Sequence, residues 1–433
     1  MSTVRTLCAC LALLAAGSAA AVIRIEITQG VDDAQPIAVA PFSFEGEGGA
    51  SVDVAAVIAA DLARSGRFRP LAREAQPAAP DEGQRPEHLA WRAAGADSLV
   101  VGRVVRAGAG YAVRFQLFDT LRGTQLLGYS IPVGVGELRR VAHRVADMVY
   151  EKLTGQPGAF STRIAFITEI RDADVRRYHL VIADSDGEDP RTVVQSVTPL
   201  MSPSWAPDGR QLAYVSFESR FPQVFVQDLG TGKREIVSDR PGINGAPVWS
   251  PDGKRLALTL SSGEGNPDIY LLELATKKLT RITLGPAIDT EPSWFPDGER
   301  LAFTSDRGGA PQVYEVNVRD LRSRRLSFEG DWNARPTVAP DGRSLALITR
   351  EQGSFRVAAL DLGTGTLRTL TEGRLDESPS FAPNGAMILY ATEHKGHGIL
   401  AAVSTDGRVR QRLALTEGDV REPAWSPNQP THE

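Results

Sequence analysis

Short apolar runs separated by polar turns dominate the chain from residue 163 onward, and their order repeats. Residues 212–216 (Leu-Ala-Tyr-Val-Ser) are followed by 223–227 (Gln-Val-Phe-Val-Gln), and matching runs recur at 256–259, 269–273, 301–304, 345–348 and 388–391. A proline-bounded phrase precedes each pair: Pro203-Ser-Trp-Ala-Pro-Asp208-Gly209, Pro247-Val-Trp-Ser-Pro-Asp252-Gly253 and Pro292-Ser-Trp-Phe-Pro-Asp297-Gly298. Weaker copies are Pro336-Thr-Val-Ala-Pro-Asp341-Gly342, Pro379-Ser-Phe-Ala-Pro-Asn384-Gly385 and the truncated Pro423-Ala-Trp-Ser-Pro-Asn428. The second prolines, at 207, 251, 296, 340, 383 and 427, step by 44, 45, 44, 43 and 44 residues. In each phrase Pro presets φ for a turn, Asp bonds its own backbone, and Gly accepts positive φ at the exit. A unit thus reads as a first strand (204–206 or its equivalent), a tight turn and further strands. The loops at 230–233 and 363–365 close hairpins. This period predicts a β-propeller with four strands per blade. The aromatics at 205, 249, 294, 381 and 425 are expected to pack between blades.

The repeat opens at Arg163-Ile-Ala-Phe-Ile167, which matches a second strand, and ends at 423–427, which matches only a first. Giving the C-terminal strand to the blade begun at 164–168 makes six blades over residues 162–428. It also removes two exposed edges.

Residues 34–157 follow a different grammar. A buried strand is predicted at 36–41 and a helix at 53–64, with Val54, Val57, Ile58 and Leu62 on one face. A short helix follows at 86–94, then a three-strand meander at 98–106, 111–119 and 124–131. The best-defined helix spans 137–153 and stops at Gly155. These elements predict a small α/β domain with a surface loop at 75–86. Ahead of it, Val22-Ile-Arg-Ile-Glu-Ile-Thr28 alternates apolar and polar positions, so the strand has one apolar face. It is either an edge strand of the α/β domain or a detachable strand that adds to a partner's sheet.

The first 21 residues carry Arg5, an apolar run at 7–16 and Gly17-Ser-Ala-Ala-Ala21. That is the pattern of a secretory signal, too short to span a bilayer, cleaved after Ala20 or Ala21. A soluble periplasmic product with no direct membrane insertion is expected. Both cysteines, Cys8 and Cys10, fall inside the signal, so the mature chain offers no disulfide and no thiolate metal site. Losing Arg5 takes the net charge from −5 to −6, against nucleic-acid binding.

Little points to catalysis. No Gly-x-Ser-x-Gly nucleophile motif occurs, and the N-terminal part is short for a hydrolase domain of the kind that some propellers gate. The histidines at 88, 143, 179, 394, 397 and 432 are scattered. His394 and His397 share a solvated loop. Asp184-Ser-Asp-Gly-Glu-Asp189 has half the ligand pattern of a calcium loop and sits where a hairpin turn belongs. Neither a metal nor a cofactor is expected.

Signal, α/β domain and repeats together resemble the TolB family of the Tol-Pal system, over essentially the whole mature chain. The resemblance extends to Gly30-Val-Asp32, Ala59-Ala-Asp-Leu62, Glu151-Lys-Leu-Thr-Gly155, Pro199-Leu-Met-Ser-Pro203, Asn244-Gly-Ala-Pro247, Thr290-Glu-Pro-Ser-Trp-Phe-Pro296, Pro311-Gln-Val-Tyr314 and Ser404-Thr-Asp-Gly407. It implies a monomeric, non-catalytic adaptor. The family's propeller binds the outer-membrane lipoprotein Pal, and its N-terminal segment binds the inner-membrane protein TolA, in support of outer-membrane invagination at division and envelope integrity. The TolA segment maps onto residues 22–33, with Val22, Ile23, Arg24, Ile25, Glu26 and Ile27 as its contacts.

The residues just before each first strand are expected to gather on one face as loops: Met201-Ser202, Gly245-Ala246, Thr290-Glu291, Ala334-Arg335, Glu377-Ser378 and Arg421-Glu422. From these and Asn244, the expected Pal contacts are Met201, Asn244, Gly245, Ala246, Thr290, Glu291, Glu377 and Arg421. Ile243 stands where the family carries histidine. The alternative is a propeller that binds a glycan or small ligand through aromatics such as Phe217 and Trp332.

Overall fold

A computed structural model describes residues 23–30, 33–45, 51–78, 86–172, 175–261, 265–415 and 418–428. The signal segment, Val22, Val31 and Asp32 lie outside the described residues.

Six antiparallel sheets form the propeller. Blades two to five are each four-stranded and begin at Leu200–Trp205, Asn244–Trp249, Asp289–Trp294 and Asn333–Val338. In blade one the C-terminal strand Asp419–Trp425 pairs with Arg163–Asp172, so the two ends of the repeat meet in one sheet. Blade six begins at Glu377–Phe381 and has five strands.

The repeated phrase does what its chemistry predicts. The glycines at 209, 253, 298, 342 and 385 have φ between 66° and 71°. The carboxylates of Asp208, Asp252, Asp297 and Asp341 accept backbone N–H bonds two residues on, at 2.9–3.1 Å. Trp205, Trp249, Trp294 and Phe381 are buried. The Trp205 and Trp294 indole N–H groups donate to Ala424 and Val248 C=O in the preceding blades, at 3.1 and 3.3 Å. Arg163 and Arg255 lie over Trp205 and Trp294 and donate to Gly209 and Gly298 C=O of the next blade's turn, at 3.0 Å each. Burial with a satisfied N–H makes Trp205 and Trp294 inter-blade wedges.

The α/β unit is one mixed sheet ordered Phe68–Pro70, Gln35–Val39, Ser98–Ala107, Gly110–Asp119 and Thr124–Val133, with Ser43–Glu45 also on Ser98–Ala107. Its helices are α1 (Val54–Arg64), α2 (His88–Ala93) and α3 (Leu138–Thr154). Asp53 caps α1 by accepting from Ala56 N–H at 3.0 Å, and Gly155 ends α3 at φ 74°. Alternation along Gln35–Val39 splits the core. Ile37 and Val39 join the α1 and α3 side, whereas Ala38 joins Trp91 of α2. The strands at 43–45 and 68–70 lack a sequence signal because three residues are too few to display a period.

Two expectations change. The first strand begins at Leu200, not Ser204, so the paired residues assigned to loops are inside strands. The N-terminal strand Ile23–Gln29 is not an edge strand of the α/β sheet. It lies antiparallel on Arg410–Leu415, as the fifth strand of blade six, with Ile25 opposite Leu413 and Ile27 opposite Gln411. Half-buried Ile25 packs onto the cluster of Leu389, Leu400 and Leu413, which supplies a hydrophobic reason for that choice.

The α/β unit meets the propeller at the turn end of the first strands. Asn384 replaces the Asp of its repeat, and its amide donates to Pro157 C=O at 2.9 Å, which a carboxylate cannot do. Gln411 donates to Arg64 C=O, and a side chain at Gly66 would strike Val409.

Candidate functional site

At the opposite end of the first strands a cavity of about 670 Å3 opens on the propeller axis, lined by first-strand residues of all six blades. Each first strand is irregular at the same place. Pairing is interrupted between Met201 and Ser204, Gly245 and Val248, Thr290 and Ser293, Ala334 and Thr337, Glu377 and Ser380, and Arg421 and Ala424. Within each gap one residue has positive φ: Ser202 51°, Ala246 44°, Glu291 55°, Arg335 55°, Ser378 55° and Glu422 53°. Such φ values are costly for residues with a Cβ, and six copies at one level mark a built feature. The proline that follows each of them restricts the residue before it and offers no N–H, so the ladder breaks there. The freed amides find partners on the preceding blade: Glu291 N–H donates to Thr259 Oγ1 at 3.2 Å, and Arg335 N–H to Thr304 Oγ1 at 2.8 Å.

These bulges carry charge to the axis. Arg335 of blade five pairs with Glu422 of blade one, and its Nε lies 4.0 Å from Glu291 Oε1 of blade four. Burial works against the Arg335 charge, yet Glu422, Glu291 and Glu377 hold its pKa above the ordinary value. Glu377 goes the other way from a usual surface carboxylate. Burial and then the Glu422 charge push it up, against the pull of Arg335 and Arg421. The cavity therefore holds one half-buried cation, Arg335, beside the carboxylates of Glu291 and Glu422, with Glu377 and the exposed Arg421 flanking it.

Of the predicted contacts, Met201, Gly245, Ala246, Thr290 and Glu291 line this cavity. Met201 is 40% exposed, and neighbouring Ile243 is 45% exposed. Asn244 also borders it but is buried, and its amide is used internally. It accepts from Ser238 Oγ at 2.5 Å and donates to Arg240 C=O at 2.6 Å, so it shapes the strand entry. Glu377 borders a second cavity of about 550 Å3, where Trp332 and Phe355 meet edge to face at 5.1 Å. Arg335 was absent from the expected contacts, although its repeat offset equals that of Glu291; its role depends on Glu422, two blades away. The N-terminal strand borders neither cavity. Its Glu26 and Ile27 are exposed, and Ile23 and Arg24 are described only by their backbone pairing to Leu415 and Ala414.

A second polar cluster, unforeseen in the sequence, lies between the α/β unit and blade one. Asp61 and Arg64 of α1, Arg139 and His143 of α3, and the turn at 184–189 converge there. Arg64 Nε donates to Asp61 Oδ1 at 2.9 Å, and another of its nitrogens donates to Ser185 Oγ at 2.8 Å. His143 Nδ1 is 2.6 Å from Asp61 Oδ2, while its Nε2 points between Asp184 and Asp186 at 3.6 and 3.8 Å. Arg139 pairs with both of those aspartates. Burial alone would lower the His143 pKa, but Asp61, Asp184 and Asp186 together raise it to about 9. The 184–189 segment is a turn, with Gly187 N–H bonded to Asp184 C=O at 2.8 Å.

Comparison with known proteins agrees with this architecture. The TolB amino-terminal domain family matches residues 23–126, and the TolB beta propeller domain family matches residues 150–429. The Tol-Pal system protein TolB of Thioalkalivibrio sulfidiphilus is 52% identical over 427 residues, covering 98% of each chain. That of Xanthomonas oryzae pv. oryzae is 48% identical over 414 residues, covering 95% of this chain and 94% of the relative. The crystal structure of TolB from Acinetobacter baumannii superimposes with a TM-score of 0.87 at 42% identity, covering 94% of this chain and all of that one. Sharing both domains and about half its residues with these proteins, the chain belongs to the TolB family of the Tol-Pal system.

Proposed function

We propose that the chain is a non-catalytic periplasmic adaptor, exported by a cleaved signal and monomeric, that links the lipoprotein Pal to TolA in support of outer-membrane invagination and envelope integrity. The observation that favours an adaptor is the separation of two dissimilar candidate binding elements on one chain. One is the axial cavity, with its charged bulges and the exposed apolar Met201 and Ile243. The other is the strand Ile23–Gln29, held along blade six by a single line of pairing. Pal takes the cavity face through Met201, Gly245, Ala246, Thr290, Glu291, Glu377 and Arg421, with Asn244 holding the strand entry. TolA takes the segment 22–33 by strand addition once it leaves blade six. Residues 34–157 and 162–428 are the two domains. Neither cavity is required to hold a cofactor or metal in this reading.

Calorimetric titration with soluble Pal, using the mature chain and a copy starting at Asp33, tests the assignment. Binding to both copies is expected, tighter for the shorter one. No binding to either would reject the Pal assignment and favour a glycan or small ligand in the Trp332–Phe355 cavity.

A further inference from the structure

The buried cluster between α1, α3 and the 184–189 turn has an unusual composition for a domain contact. Asp61 and His143 are almost wholly buried, at 0% and 1% exposure. Nothing among the described residues accepts from His143 Nε2 at hydrogen-bond distance, although two carboxylates stand at 3.6 and 3.8 Å. Arg64 and Arg139 bring two positive charges, whereas Asp61, Asp184 and Asp186 bring three negative ones. A buried charge must be compensated, and among the groups in direct contact the balance is reached when His143 is an imidazolium that donates from both ring nitrogens.

The charged groups on every neighbouring element fit that protonation state. Asp61 approaches from α1, and Asp184 and Asp186 from blade one. Arg139 lies one turn earlier on α3 and contacts the aspartates rather than the ring. Asp147, one turn later, is engaged elsewhere, accepting from Phe160 and Ser161 N–H at 2.7 and 3.0 Å. Arg163 of blade one interacts electrostatically with Asp184. A divalent ion in place of the proton would bring one positive charge more than the cluster balances, beside the guanidinium groups of Arg64 and Arg139, which disfavours a metal here.

The same turn of α1 touches the strand that carries the N-terminal segment. Arg64 C=O accepts from Gln411, Gly66 abuts Val409, and Gln411 is the residue opposite Ile27. Helix α1 therefore ends between two contacts: the ion cluster on blade one and the outer strand of blade six.

We propose that the Asp61–His143–Asp184–Asp186 cluster is a proton-dependent latch between the α/β unit and the propeller, and that opening it loosens the N-terminal strand from blade six. Loss of the His143 proton leaves three carboxylates against two guanidinium groups. The repulsion falls on the α1–blade one contact, and α1 then withdraws its support from Gln411. The consequence for partner binding rests on the adaptor reading above; the latch itself is a property of the free chain.

Amide hydrogen exchange on the mature, full-length protein tests it without any partner. His143→Gln and Asp186→Asn are each expected to raise exchange at least tenfold in the 184–189 turn, the last turn of α1 and the paired strands Ile23–Gln29 and Arg410–Leu415, while blades three to five stay protected. The unmodified protein moved from pH 7 to pH 10, corrected for intrinsic exchange, should show the same local change. Unchanged exchange at Ile23–Gln29 in Asp186→Asn overturns the coupling, and an unchanged pattern at pH 10 overturns the proton dependence. If His143→Gln loses protection throughout the blades, it has failed to fold, and the Asp186→Asn and pH arms decide. A rise in melting temperature with added Zn2+ that His143→Gln abolishes would replace the proton by a metal and overturn the proposal. Failure of Pal or TolA to bind would leave all these readings untouched, so the two failures are separable.

Discussion

Arg335 and Glu422 are an ion pair that bridges past blade six, joining the first strands of blades five and one across the inner strand of blade six. Each sits at the positive-φ position of its own bulge. The pair closes a carboxylate-rich cavity and ties the C-terminal strand to a blade it does not adjoin.

Arg335→Met should therefore destabilise the chain by about 2–3 kcal/mol, somewhat less than a fully buried pair because the cavity is open to water. Glu291, Glu377 and Glu422 would be left without their shared counter-charge. Burial already holds the Glu377 carboxyl above the usual range, so protonation relieves the repulsion. The melting-temperature deficit of Arg335→Met should be larger at pH 7.5 than at pH 5, and an equal deficit would refute the charge argument.

His143 has the opposite pH signature. Its imidazole is held at about 9 in the fold against an ordinary 6.5. The stabilisation is complete below pH 6.5, shrinks above it and is lost as pH rises through 9. It amounts to about 3 kcal/mol at most. Thermal denaturation of the native protein from pH 6 to 9.5 should show that decline, and His143→Gln should flatten it.

Truncation after Glu422 removes the pairs Ala424 with Ala165 and Trp425 with Ile164. It also removes the Trp425 indole, which donates to Thr162 Oγ1 at 2.8 Å. The melting temperature should drop by roughly 10 °C, the loss of several kcal/mol expected for a buried aromatic and an opened sheet edge. An unchanged melting curve would contradict closure by this strand.

On the cavity face, Met201→Asp and Ile243→Asp place a charge on exposed apolar positions that the fold does not need. Each should leave the melting temperature within about 2 °C of the parent. Each should weaken Pal binding at least tenfold in calorimetry, about 1.4 kcal/mol. Undiminished binding in both would move the Pal surface elsewhere.

Along the N-terminal strand, Ile25 and Ile27 should respond differently. Ile25 packs on the blade-six cluster, whereas Ile27 is 44% exposed. Ile25→Asp is expected to detach the strand, read as rapid amide exchange over Ile23–Gln29, and Ile27→Asp to leave it in place.

Local chemistry determined much of this fold from sequence alone. Pro-Asp-Gly turns act over three or four residues, and six copies at a nearly constant spacing specify blades, their number and their inter-blade aromatics. Helices α1 and α3 were legible for the same reason, since their apolar spacing and their ends at Asp53 and Gly155 are contained in the elements themselves. The N-terminal strand shows the boundary. Alternation told that Ile23, Ile25 and Ile27 share a face, but the choice of blade six over the α/β sheet came from an apolar cluster almost four hundred residues away. Likewise, Asp61 and His143 carry no local pattern and Asp186 shows only that of a turn; folding alone brings the three together. Arg335 and Glu422 became partners because the ring closes. Periodic, short-range interactions can be read along a chain, whereas charge compensation and edge pairing depend on which distant surfaces meet, and tertiary structure alone decides that.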